Sequence, residues 1–245
     1  GQRINSAADG PAGAPIASRL NSELRGTSQA IRNALDGQAL IDTAEGGHEE
    51  VENILQRMRE IAVQAANDTN SSQDRANLNE EMKALSTEID RIAVATSWAG
   101  KSLMNGGSSQ FSFQVGTSTN AESAITISIG SMSATALSLD HTSVSVMSSE
   151  NSQFAISAID QAITFVNSQR SMLGATSNRL NYAVNNLTNV SGNLVSALGR
   201  IQDTDYAAEI TALAKHQILQ KAAMAMLAQA NASKSYVLIL LRSLN

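Results

Sequence analysis

IDQAITFVNSQRSMLGATSNRLNYAVNNLTNVSGNLVSALGRI, residues 159–201, decides the fold. Apolar side chains return at Ile159, Ile163, Val166, Leu173, Leu180, Val184, Leu187, Leu194, Leu198 and Ile201. Steps of three, four and seven keep these on one seam of a helix. Arg170, Ser177 and Ser191 take the seam positions between them. A repeat of this length predicts a helix of about 70 Å, longer than globular helices usually are. A stripe that long has to be covered by a partner of similar length.

The partner expected is residues 16–65. Leu20, Leu24, Ile31, Leu35 and Ile41 hold one face; past Gly46-Gly47, Val51, Ile54, Leu55, Met58, Ile61, Ala62 and Ala65 continue it. We read one long helix, kinked or weakened at the glycines, with two helices as the alternative. Both prolines, Pro11 and Pro15, precede it, so no proline interrupts a helix from residue 16 onward. After a polar turn, Ser71 and Asp74 have the spacing of a capping box. A third seam follows at Leu78, Met82, Leu85, Ile89, Ile92 and Thr96, while Glu80, Glu81, Lys83, Glu88 and Arg91 stay off it.

The period then changes from helical to alternating. Phe111, Phe113 and Val115 alternate with polar residues, as do Ile125, Ile127 and Ile129, which predicts a β-hairpin. Leu137 with Leu139, and Val144 with Val146, suggest further short strands. Nine of the nineteen residues in 131–149 are Ser or Thr, so this stretch is expected to be exposed and variable in conformation. The last segment, residues 206–245, differs again. AAMAMLAQANA, residues 222–232, is small or apolar on nearly every side. Such a helix needs neighbours all round, and nothing else in the chain is left to cover it. The fold class expected is mainly α: an elongated antiparallel rod of coiled-coil-like helices with a small β-hairpin at one end. Its segments are 1–104, 105–149, 150–202 and 203–245.

Composition narrows the function. Aromatic residues make up only 3% of the chain, so Ala, Leu, Ile and Val must pack thin helix seams rather than a thick globular centre. The absence of cysteine excludes disulfides, thiolate metal sites and cysteine nucleophiles. A net charge of −5 disfavours nucleic acid, whose binding depends on neutralising phosphates. The most apolar run, residues 237–241, is far too short for membrane insertion, and no charged-then-apolar leader opens the sequence.

Few residues suggest chemistry. In His48-Glu49-Glu50-Val51-Glu52 a zinc peptidase helix would need a second His at position 52, where Glu52 stands. A solvated helical face is the expectation there. His141 and His216 have no partners at ligand spacing, and Gly106-Gly107 reads as a turn. The carboxylate pairs Glu49-Glu50 and Glu80-Glu81 read as helix surface, and Trp98 alone makes no platform for sugar stacking. No catalytic, metal or cofactor site is expected.

Five stretches carry a family resemblance. GQRINSAADGPAG (1–13), NILQRMREIAVQAANDTNSSQDR (53–75) and EIDRIA (88–93) resemble the amino-terminal half of bacterial flagellins. QVGTSTNAESAITISI (114–129) is similar to the hairpin region that follows in that family. RIQDTDYAAEITALAKHQILQKAAMAMLAQAN (200–231) resembles its carboxy-terminal signature. The resemblance implies a non-enzymatic subunit of the extracellular flagellar filament, secreted through the flagellum's own channel. The partners it implies are further copies of the chain, an export chaperone, the filament cap and a vertebrate innate immune receptor. It places receptor recognition at Arg57, Ile61 (where leucine is usual) and Glu81, and the self-assembly core at Ile218, Leu219, Met224, Leu227, Leu238 and Leu241. Some family members carry O-linked sugars, and Ser or Thr in 131–149 could accept them, with a plain exposed loop as the alternative. A hook–filament junction protein and a polysaccharide-binding surface protein are the rival functions. The family carries a stretch before the motif that begins here at Gly1, so a truncated or processed form that polymerises poorly is expected.

Overall fold

The computed structural model describes residues 1–6, 8–106, 109–140 and 144–243, with side chains as far as 234. The fold is mainly α, 72% helical, with four helices and small antiparallel strand pairs among the described residues. The helices are α1 (Gly13–Ala66), α2 (Ser72–Ala95), α3 (Ser149–Gln202) and α4 (Tyr206–Ser243). The strands are β1 (Ser97–Trp98), β2 (Lys101–Ser102), β3 (Ser109–Gln114) and β4 (Ala124–Ile129). The chain divides into two compact units: Gly1–Asn21 with Val195–Asn245, and Ser22–Leu194.

In the larger unit, α1 runs unbroken through Gly46 and Gly47. Its buried face is Thr27, Ala30, Ala34, Gly37, Ile41, Ala44, His48, Val51, Leu55, Met58, Ala62 and Ala65, alternating steps of three and four. This is a heptad seam. Its first half corrects the expected stripe: Ala30, Ala34 and Gly37 are buried, while Leu24 and Ile31 sit at its margin and Leu35 is exposed. Small residues are selected there because another element comes close. A Cβ on Gly37 would stand 3.0 Å from the ring of Phe113, and one on Gly26 would stand 2.9 Å from Thr117. Volume, not hydropathy, sets the seam at this point.

α1 and α3 pack antiparallel within this unit. Ser149 donates to the carbonyl of Ala66, Arg59 pairs with Asp160 at 2.6 Å, and Arg170 reaches both Glu52 and Glu45. α3 buries Ile159, Val166, Leu173 and Leu180 from the first half of the repeat that defines it, with Ser152, Ala155, Ala162 and Thr176 buried beside them, while Leu187, Leu194 and Ile201 are only half-buried. α2 folds back on α1 through a short corner. Ser71 and Asp74 form the expected capping box, and Arg75 donates to the carbonyls of Ala65 and Asn67 at the end of α1. The Ala65 carbonyl, in the last turn of α1, is one of those without a partner inside the helix, so the guanidinium closes the helix end.

β1 and β2 form a two-residue hairpin that the sequence did not announce. Ala99 at φ 49° and Gly100 at φ 79° give it the left-handed turn that suits the twist of paired strands. β3 and β4 pair antiparallel with Phe111 opposite Ile127 and Phe113 opposite Ile125, as the alternation predicts.

The stretch after β4 departs from expectation. Among the described residues it contains no strand, yet Met132, Ala134, Leu137, Leu139, Val144 and Val146 are all buried. Side chains of α2 satisfy its backbone in place of a ladder. Asp90 accepts from the Ala134 amide at 2.8 Å, Ser86 donates to the Leu139 carbonyl at 2.9 Å, and Asn79 accepts from the Val146 amide at 3.1 Å. Buried peptide groups need partners of some kind, and polar seam residues on α2 supply them. This also explains why Asn79 and Ser86 are buried while Leu78 and Leu85 sit at the margin.

The smaller unit joins the chain's two ends. Gln2 bridges Asp203, the Arg3 amide donates to the Gln202 carbonyl, and the Arg3 guanidinium to that of Ile201. Pro15 falls in the first turn of α1, where its missing amide hydrogen would have no partner anyway.

Candidate functional site

α4 carries the largest group of exposed apolar side chains. Asp205 caps it, its carboxylate accepting from the amides of Ala207 and Ala208. Ile210, Leu213, Ile218, Leu219, Met224, Met226 and Leu227 are all exposed, with Ile218 and Leu227 at 67% and Met226 at 71%. At 100° per residue these positions surround the helix rather than lining one face. Leu238 and Leu241 continue the helical backbone, beyond the last described side chain. Isolated apolar residues on a surface need no explanation, but a helix dressed with them on every side does.

A second feature lies where α1 meets α2. Arg57 donates to Glu81 through Nε at 3.0 Å and a terminal nitrogen at 2.7 Å, and through its other nitrogen to Glu60 at 3.0 Å. The Glu81 and Glu60 carboxylates hold the Arg57 guanidinium above its ordinary pKa. Arg57 stays about half exposed, so the ion pair is presented to solvent with its geometry fixed. Ile61 is not part of that surface. It is 0% exposed, one turn beyond Arg57 but turned into the core.

His48 overturns the expectation of a solvated face. Its ring is completely buried in the α1 seam, and its Nδ1 donates to the Ala44 carbonyl at 2.6 Å. Glu52, in place of a second His, pairs with Arg170, whereas Glu49 and Glu50 are exposed. His216 is exposed on α4, and His141 lies outside the described residues. Gly106 takes a positive φ, 107°, consistent with a turn; Gly107 lies outside the described residues.

Residues 1–109 match the bacterial flagellin N-terminal helical region, and residues 156–241 match the bacterial flagellin C-terminal helical region. The chain belongs to the bacterial flagellin family. A flagellin of Halalkalibacterium halodurans is 42% identical over 242 residues, covering 99% of this chain and 88% of that one. Flagellin B of Vibrio cholerae is 33% identical over 343 aligned positions, covering 98% and 91%. Among solved structures, Bacillus cereus flagellin aligns with a TM-score of 0.53 at 28% identity, over 68% of this chain and 94% of that one. A putative flagellar hook-associated protein from Vibrio parahaemolyticus aligns with a TM-score of 0.67 over 80% and 100%, but at 17% identity it shares the fold alone. As a flagellin-family chain it is a structural subunit of the flagellar filament, not an enzyme, and it self-assembles in the extracellular part of the flagellum.

Sequence reasoning found α4 through its composition and Arg57 through the family resemblance. The helical stripe read from the sequence already included Ile61, and its burial agrees with that reading rather than with the place the resemblance gave it on the recognition surface.

Proposed function

We propose that this flagellin-family chain polymerises through segment 203–245, with Ile218, Leu219, Met224 and Leu227 passing from solvent into contact with other helices. Leu238 and Leu241 extend the same apolar sequence. The observation that carries this reading is the exposure of apolar residues on every side of α4. Burying such a helix against neighbours recovers about 1.5–3 kcal/mol for each large apolar side chain taken fully from water. Assembly is tested by sedimentation across a range of chain concentrations, with hydrogen exchange reporting α4 before and after. Strong protection of α4 only in the polymer is the expected result; equal protection in the free chain would sink the reading.

The same proposal includes delivery through the flagellum's own channel, with an export chaperone and the filament cap as transient partners. A helix that is apolar all round and unpaired in the free chain is a natural client for a chaperone. The surface around Arg57 and Glu81 supports a second reading, recognition by a vertebrate innate immune receptor. There Ile61 acts from beneath, holding α1 in register rather than touching the receptor. Receptor activation by the free chain, weakened by Arg57→Ala at unchanged helix content, is the outcome expected. Activation unchanged by Arg57→Ala would remove this surface from recognition.

A further inference from the structure

The α1 seam holds one residue that its role as an apolar contact does not explain. Between Ala44 and Val51, where every neighbouring seam position is small or apolar, stands His48. Its Nδ1 faces the Ala44 carbonyl, which can only accept, so Nδ1 carries the hydrogen. Nε2 is then a bare lone pair, and it is buried without any hydrogen-bond partner. A second unpartnered buried acceptor, Oε2 of Glu45, lies one turn earlier on the same helix. Glu45 spends its other oxygen on Arg170, which also takes Glu52.

We propose that His48 makes the α1–α3 seam acid-labile, a proton-triggered joint inside the larger unit. Taking up a proton at Nε2 converts a buried lone pair into a buried N–H without an acceptor and places a positive charge in the seam. The charged groups acting on the ring are Glu45 on its own helix, which favours the charge, and Arg170 on α3, which opposes it. The segment against the adjacent Gly47 contributes Thr96 and Met104, neither of which titrates. Burial outweighs the Ala44 and Glu45 contributions and holds the ring's pKa below the ordinary histidine value.

The direction of the linkage follows. With the folded pKa below the unfolded one, the unfolded chain takes the proton first as pH falls. Stability from this residue is therefore complete above the ordinary histidine value of about 6.5 and declines below it, until the folded ring is itself protonated. The opening it drives separates α1 from α3 near Ala44, where Arg170 is already shared between two carboxylates. Glu45, whose carboxylate favours the charged ring alongside the Ala44 carbonyl, is placed to stabilise it once the seam has loosened.

The test is denaturation of the full chain from about pH 8 to about pH 5, comparing the unmutated chain with His48→Leu and His48→Gln. Relative to His48→Leu, the unfolding constant of the unmutated chain should rise by up to about tenfold per pH unit below the ordinary histidine value. His48→Gln, still polar but unable to titrate, should be less stable than His48→Leu at neutral pH and share its pH profile. Parallel profiles for all three chains would overturn the proposal. A measurement that needs no variant to fold is NMR titration of the imidazoles in the unmutated chain. His48 should remain neutral at the ordinary histidine value of about 6.5 and take its proton only below it; protonation of His48 at or above that value would overturn the proposal equally.

Discussion

Replacing Leu227 with alanine tests the assembly reading directly, because the free chain leaves most of this side chain in solvent. Leu227 is 67% exposed, so about two-thirds of its surface remains to be buried by another molecule. Full burial of a leucine is worth roughly 1.5–3 kcal/mol, which leaves about 1–2 kcal/mol per subunit for assembly. Alanine keeps little of that and is the better helix former, so the fold of the free chain should not suffer. With about 1.4 kcal/mol to each factor of ten, the critical concentration should rise about five- to thirtyfold. The assay is the concentration of chain left in the supernatant after sedimenting polymer grown from seeds. Leu35→Ala serves as a control, since Leu35 is 48% exposed on the larger unit and outside α4. An unchanged critical concentration for Leu227→Ala would refute the argument. So would an equal rise for Leu35→Ala, because assembly would then respond to surface hydrophobicity in general.

Further outcomes follow from the larger unit. Leu139→Ala should cost about 2–5 kcal/mol in urea denaturation, as a core leucine does, although it lies in a stretch where nine of nineteen residues are Ser or Thr. Gly46→Ala and Gly47→Ala should move thermal stability in opposite directions. A Cβ on Gly46 meets nothing and gains about 0.5–1 kcal/mol of helix propensity. A Cβ on Gly47 would stand 2.8 Å from Met104 and 2.9 Å from Thr96, an overpacking that costs about 1–3 kcal/mol. The capping box should show an acid dependence of its own. Hydrogen bonds from the Ser71 hydroxyl and then its amide hold the Asp74 carboxyl below its ordinary pKa. Its stabilisation is thus complete above the unfolded aspartate value and lost as pH falls through the lowered folded value. Ser71→Ala should lower the neutral-pH melting temperature and flatten that acid slope.

Periodicity located the helices because a seam repeated over many turns leaves its mark in the sequence whatever covers it. The α3 repeat and the β3–β4 alternation were legible for that reason, and so was the capping box, which is purely local. The early α1 seam was not. Its contacts are small because Phe113 and Thr117 press on Gly37 and Gly26, and residues so distant in sequence leave no local trace. The stretch after β4 was misread for a related reason. Its Ser and Thr content suggested exposure, while the partners of its peptide groups sit on α2, from 44 to 67 residues earlier. Of the candidate site, α4 declared itself through composition. His48 was misplaced because a motif was weighed above the seam spacing it shares with Ala44, while Ile61, already on the helical stripe with Met58, was carried onto the recognition surface by the resemblance alone.

The guanidinium of Arg75 at the corner between α1 and α2 bears on the order in which the larger unit forms. Its bonds join residues only ten and eight positions apart, so that helical hairpin can close with little loss of chain entropy. The Arg59–Asp160 and Arg170–Glu45 pairs span 101 and 125 residues and must await a much larger closure. Low contact order makes the corner the natural nucleus, with α3 docking afterwards. Substitutions at the corner should then slow folding, whereas those in the α1–α3 seam should chiefly hasten unfolding. A chain refolding after denaturation would start again from this corner, before α3 has arrived.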